Sequence, residues 1–258
     1  MERSEQVAAL SGLEQASAVV HNPQGASEII LVCEHASHYI PAVFGNLGLS
    51  DDERLSHIGW DPGAAATAKK LSKLLDAPLV LQQYSRLLYD CNRPPEVLSA
   101  IPQRSEYTEI PGNIELSAEE RDYRIKQIYD PFHAAIDGLI REHVAADKPY
   151  IIVTIHSFTP VFLGAQRAVE LGVIYAPENR FAERFYQRSK AMSPRDIRSN
   201  EPYGPSDPVL HTIGRHSSPK HGAVMLEIRN DLLSSDADQQ YWAGFIAKAL
   251  HATINEEK

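Results

Sequence analysis

Ile29-Ile30-Leu31-Val32-Cys33-Glu34-His35 is a short apolar, mostly β-branched run that ends abruptly on a carboxylate and an imidazole. Gly25 and Ser27 precede it, and nothing polar alternates along it, which is the pattern of a strand buried on both faces. The pattern recurs. Tyr150 to Ile155 (YIIVTI) is followed by His156-Ser157, Val173-Ile174-Tyr175 is a third run, and Val224 to Ile228 (VMLEI) carries Glu227 within it. Pro78 through Gln82 reads as a further strand. Helical stretches lie between these runs. Asp61-Pro62 opens GAAATAKKLSKLLD, with Asp61 placed as N-cap and Pro62 at the first helical position. The capping box Ser117-Ala118-Glu119-Glu120 opens a periodic segment running to about Ala145, with a bend expected at Pro131. Two more helical segments are expected near 178–191 and 237–252. Strands alternating with helices predict an α/β fold, a mostly parallel sheet with helices on both faces.

The chain of 258 residues is 43% hydrophobic and 23% charged, enough to bury a large core without disulfide staples. No repeat and no shift in composition divides it. Residues 1–25 are expected to form a loosely tied extension and residues 26–258 a single domain. Residues 93–113, rich in Pro, Ser and Gly, predict one long loop, of the kind that is usually functional or mobile. The net charge of −9, with no run of five like charges, argues against a nucleic-acid surface or a polybasic membrane patch. No stretch approaches the roughly 18–20 apolar residues of a membrane span. The first twenty residues carry Glu2, Glu5 and Glu14 and lack the apolar core of a secretory signal. With Cys33 and Cys91 as the only cysteines, the expected location is a reducing cytoplasm. The expected partner is a small anionic substrate, and oligomeric state leaves no mark on the sequence.

Three runs end on residues suited to chemistry, namely His35, His156 and Glu227. In open α/β sheets the ligand crevice lies outside the carboxyl ends of the strands, so these groups are predicted to converge there. Neutral imidazoles with an open coordination position, plus a carboxylate to take a proton from water, are the parts of a metal hydrolase. His35 and His156 are the candidate ligands. Either Asp61 or His38 is the third, the first from a helix start and the second completing His35-x-x-His38. Glu227 inside an apolar strand needs a partner, either the nearby Arg229 or a cation beside which it serves as general base. Arg86, Asn92 and Arg93 in SRLLYDCNRPP (85–95) form a candidate anion clamp, because the guanidinium fork matches a carboxylate. Tyr203 and His216 lie in a Gly/Pro/Ser-rich stretch, with His211 and His221, that reads as a lid with hydrogen-bonding side chains over a substrate.

At these residues the sequence resembles the N-formylglutamate amidohydrolase family, in particular its predicted-amidohydrolase branch. The recognisable pieces run from Ile29 to Leu233: CEHASHYIP (33–41), HIGWDPGAA (57–65), QQYSRLLYDCNRPP (82–95), IPGN (110–113), YDPFHAAID (129–137), IHSFTP (155–160), NEPYGPSD (200–207) and LEIRND (226–231). The resemblance implies a zinc-exopeptidase-like α/β fold and metal-assisted cleavage of the formamide of N-formylglutamate to formate and glutamate. Its pattern keeps His35, Asp61, Arg86, Asn92-Arg93, His156 and Glu227, and favours Asp61 as third ligand; His38 stands where Asn is common. The expected protein is therefore a Zn2+-dependent amidohydrolase. A carboxypeptidase or other deacylase is the alternative enzyme, and a non-catalytic metal- or ligand-binding protein the alternative class.

Overall fold

The structure, a computed structural model, describes residues 13, 15–205, 207–218 and 221–255. The strands are β1 (Ala18–His21), β2 (Ile29–Cys33), β3 (Leu79–Gln82), the short pair β4 (Arg104–Ser105) and β5 (Thr108–Glu109), β6 (Ile151–Phe158), the short pair β7 (Val161–Phe162) and β8 (Ala165–Gln166), β9 (Leu171–Ile174), β10 (Ile197–Ser199) and β11 (Ala223–Arg229). The helices are α1 (Asp51–Leu55), α2 (Ala64–Leu75), α3 (Ala118–Arg124), α4 (Asp130–Ala145), α5 (Arg180–Met192), α6 (His211–His216) and α7 (Asp236–Ile254). No helix among the described residues is long and apolar enough to cross a membrane.

Seven strands form one sheet in the order β1-β3-β2-β6-β11-β9-β10. β3, β2, β6 and β11 run parallel, β9 and β10 run parallel to each other but opposite to β11, and β1 is antiparallel to β3. The sheet is thus mostly parallel, and its three chemistry-bearing strands β2, β6 and β11 point the same way. Helices cover both faces because the buried strands alternate between two cores. Ile29, Leu31 and Cys33 pack with Leu71 of α2, Phe185 of α5 and Trp242 of α7. Ile30 and Val32 pack on the opposite face with Phe132 and Ile136 of α4.

Several local expectations are refined. Ala18–His21, expected within a loose extension, is instead the edge strand paired with β3, and Ser17 Oγ donates to the Ile128 carbonyl; residues 1–12 and 14 lie outside the described residues. His156 and Ser157 do not follow their strand but sit inside it, because β11 continues alongside and pairs Glu227 with His156 and Ile228 with Ser157. The segment stays helical through Pro131, and a wide π turn over Ile125–Tyr129 immediately precedes it. Loop 93–113 is held by a buried hub: Asn113 Nδ2 donates to the carbonyls of Leu87 and Pro102, both at 2.7 Å, and Arg124 Nη1 donates to Asn113 Oδ1 at 2.7 Å.

The change at Asp61 matters for function. Asp61 is not a helix cap: α2 starts at Ala64 behind Gly63, which adopts a left-handed conformation at φ 81°. That turn frees the Asp61 carboxylate to point inward. A Cβ on Gly63 would meet Leu233 Cβ at 2.4 Å. Gly63→Ala is therefore expected to destabilise the protein by about 2 kcal/mol or more, from the left-handed backbone and the clash together, as read by urea unfolding.

Candidate functional site

β2 and β6 are neighbours in the sheet, and the turn before α2 crosses their carboxyl ends, so one imidazole from each strand and one carboxylate from the turn reach the same point. His156 Nδ1 lies 3.0 Å from Asp61 Oδ2 and 3.2 Å from His35 Nδ1, and His35 Nδ1 lies 3.3 Å from Asp61 Oδ2. All three residues are buried, and they form a group able to hold a metal ion. Ligands about 2.0–2.1 Å from a tetrahedral zinc stand about 3.3 Å from one another, so the observed triangle has the right edge length. Asp61 thus occupies the place for which His38 was the alternative. The His38 ring packs edge-on to Trp60 with centroids 5.0 Å apart.

The outer nitrogens explain why the inner ones face each other. His35 Nε2 is 2.7 Å from Asp90 Oδ1, and His156 Nε2 is 3.0 Å from Glu34 Oε2. An ionised carboxylate only accepts, so Asp90 holds a proton on His35 Nε2, whereas His156 Nε2 lies at ion-pair distance from Glu34 without hydrogen-bond geometry. The surrounding carboxylates push both imidazoles up, toward their protonated forms, and Asp61 Oδ2 also accepts from the Ser157 backbone N–H at 3.2 Å. A divalent cation would take the place of the Nδ1 protons, and carboxylate-backed histidines are the usual surroundings of a metal. The donors present therefore fit a divalent cation. Burial would push the Asp61 carboxyl up, but the adjacent His35 and His156 hold it well below the usual carboxylate range. For His35, burial and Arg86 pull downward and are outweighed by Asp90 and Asp61.

Glu227 stands beside His156 across the β6–β11 pairing and is buried. Arg229 is not its partner: that guanidinium binds Asp231 at 2.8 Å and the carbonyls of Arg167 and Ala168. Glu227 Oε2 is buried without a hydrogen-bond partner, and burial, reinforced by the Asp61 charge, pushes its carboxyl up to about 7. Space for this strand pair's neighbour comes from Gly172, whose missing Cβ would otherwise meet the Glu201 carbonyl oxygen at 2.1 Å. The close approach brings the segment carrying Tyr203 over the site.

Two cavities open on the cluster. The inner one, about 80 Å³, is lined by His35, Asp61, Arg93, Met225 and Glu227 among others; the outer one, about 130 Å³, by His57, Glu106, Phe158 and Phe162 among others. They share Asp61, Arg86, Ser157 and Tyr203, so they are two arms of one cleft. Arg86 is committed within the site, with Nη2 on Asp90 Oδ2 at 2.8 Å and Nη1 3.6 Å from Asp61 Oδ1. Asn92 lines the inner arm, yet its amide does not reach for a ligand: Nδ2 donates to the Val209 carbonyl at 2.6 Å and Oδ1 accepts from Thr212 N at 3.0 Å. It ties down the segment before α6, which is accordingly not a free lid. Arg93 lines the inner arm, its Nη1 donating to the Asn92 carbonyl. Tyr203 lines both arms, its hydroxyl accepting from Arg167 Nη1 at 3.2 Å. His216 lines neither; it binds His133 at 2.7 Å and Asp137 at 3.1 Å, because α6 packs on α4. Sequence reasoning marks Glu34 only as one of the polar residues that end the first apolar run, beside His35, and misses Asp90, four residues beyond Arg86.

The profile of the N-formylglutamate amidohydrolase family matches residues 27–234. Among solved structures, the gene product Atu2144 from Agrobacterium tumefaciens is 43% identical, with a TM-score of 0.92 over 94% of this chain and 96% of that one. The N-formylglutamate amidohydrolase from Ralstonia eutropha JMP134 shares the fold at 16% identity, with a TM-score of 0.65 over 93% of this chain and 98% of that one. No curated protein matches.

Replacing the buried carboxylate behind His156 tests the reading of the cluster. Glu34→Gln is expected to weaken Zn2+ binding by about 10–100-fold in a chelator competition, with the circular-dichroism spectrum unchanged. Undiminished affinity would remove Glu34 from the centre.

Proposed function

The chain belongs to the N-formylglutamate amidohydrolase family, and on that premise we propose that it hydrolyses the formamide of N-formyl-L-glutamate, or of a related N-acyl acidic amino acid, using zinc held by His35, Asp61 and His156. The observation that supports this most is the buried Glu227 carboxyl, pushed up to about 7, beside two imidazoles whose Nδ1 atoms meet at Asp61. A protein that only bound metal would have no use for an unpartnered buried base at that point.

When bound, a divalent cation polarises the scissile carbonyl and acidifies a water. Glu227 takes the proton of that water as it attacks the acyl carbon and returns it to the leaving nitrogen as the C–N bond breaks; a carboxyl near neutrality suits both transfers. Arg93, in the inner arm, holds the carboxylate of the amine portion. Arg86 acts through its neighbours, keeping Asp90 and Asp61 ionised and in place. Asn92 positions the wall rather than the substrate. Tyr203 offers its O–H into the cleft because Arg167 occupies a lone pair of its oxygen. The same residues would serve cleavage of a peptide C-terminus, and the space beyond the cluster gives that alternative its support. Two free buried cysteines, Cys33 and Cys91, suit a reducing cytoplasm.

Purified protein loaded with Zn2+ is expected to release formate from N-formyl-L-glutamate, to stop on chelation and to recover on zinc return. Glu227→Gln is expected to lower kcat by about 10²–10⁴-fold while zinc content stays at that of the native protein. Arg93→Ala is expected to raise KM by about 10–100-fold with a smaller change in kcat, as befits a lost charged contact that ground and transition states share.

A further inference from the structure

The acyl portion of a formamide is a single carbon, and its oxygen belongs to the reacting centre. With the amine portion directed at Arg93, nothing in N-formylglutamate occupies the outer arm. That arm is nonetheless the larger of the two, about 130 Å³ against about 80 Å³. One water's share of liquid volume is about 30 Å³, so the outer arm has room for several heavy atoms.

Its walls are specific. Phe158, Phe162 and the Tyr203 ring supply aromatic surface, and the far end is closed by the β4–β5 hairpin, which brings Ser105 and Glu106 over His57. Glu106 Oε1 takes His57 Nε2 at 2.6 Å, and its side chain is 17% exposed. A carboxylate has room for further donors after one such bond. The cations nearby are spoken for: Arg86 by Asp90 and Asp61, and Arg167 behind the rings, its guanidinium 4.3 Å from the Phe162 centroid and bound to the Tyr203 hydroxyl. The cleft is therefore polarised, with a guanidinium, Arg93, in one arm and a carboxylate, Glu106, at the end of the other.

Resting on the proposed hydrolase reading, we infer that the outer arm is an acyl subsite for an aminoacyl group, and that the substrate class is a linear dipeptide whose ammonium meets Glu106 and whose carboxylate meets Arg93. The reaction is the same hydrolysis: water adds across the amide, the carbonyl carbon gains the hydroxyl, the nitrogen gains the proton, and two free amino acids leave. The aromatic walls favour the ammonium on its way in, since ring faces attract cations.

Calorimetric titration of the zinc-loaded Glu227→Gln protein, which binds without turnover, compares three ligands: glycyl-, N-acetyl- and N-formyl-L-glutamate. The glycyl compound is expected to bind at least about tenfold tighter than the acetyl compound, which matches it in length and lacks the amine, and tighter than the formyl compound. Adding Glu106→Gln is expected to bring the glycyl-to-acetyl ratio close to one. Equal binding of the glycyl and acetyl compounds, or a ratio indifferent to position 106, overturns the subsite. Binding of the formyl compound with rejection of the other two overturns it while leaving the formamide hydrolase reading standing. Failure of all three to bind overturns both.

Discussion

His35 is hydrogen-bonded on its outer nitrogen by the buried Asp90, and the buried Glu34 stands at ion-pair distance from the outer nitrogen of His156. The two carboxylates stand on the outer side of the rings, whose Nδ1 atoms face inward. Everything else in the site follows from Nδ1 of both rings facing Asp61. The two strands that bear the rings are adjacent and parallel, so their ends cannot drift apart without breaking the sheet. The site is rigid because its first contacts are made by β-structure and by one turn held at Gly63.

Burying so many acids would be prohibitive without matching cations. Glu34, Asp61, Asp90 and Glu227 are all buried, and Arg86 and Arg93 are the guanidiniums that line the inner arm with Asp61 and Glu227. The carboxylates push both histidines toward their charged forms, and a divalent ion would take over the balancing role of the Nδ1 protons. Arg86 has a structural share in this, since its fork spans Asp90 and Asp61 and thereby links the carboxylate behind His35 to the one beside it. The same reasoning explains why Glu227 is raised while Asp61 is lowered: the first lacks a hydrogen-bond partner for one buried oxygen, and the second touches both rings.

The sheet was legible in the sequence because buried parallel strands are uninterrupted apolar runs, and β2, β6 and β11 carry their chemical residues at or near their ends. His35, His156 and Glu227 could be named for the same reason, whereas Asp61 stands at a helix start and only the family resemblance favours it over His38. The edge strand Ala18–His21 was not, since AVVH has too few residues to show a pattern and is set by pairing with β3. Asp61 resembled a cap because Asp-Pro commonly opens a helix, and only the left-handed Gly63 shows that the helix begins later. Asn92 and His216 have donors and acceptors fit for a substrate, and sequence carries no information about the backbone groups that claim them. Asp90 escaped, and Glu34 was marked only as a polar residue ending its run, for the complementary reason: a residue that acts through another has no motif of its own, only an address beside one.

The account stands on the three donors meeting at one ion. Anomalous diffraction recorded on either side of the zinc absorption edge, from crystals of the zinc-loaded protein, tests this directly. The expected result is a single strong peak within about 2.0–2.2 Å of His35 Nδ1, His156 Nδ1 and an Asp61 oxygen. A peak elsewhere, a peak on the Nε2 side of either ring, or no peak in crystals that retain zinc in solution would contradict it.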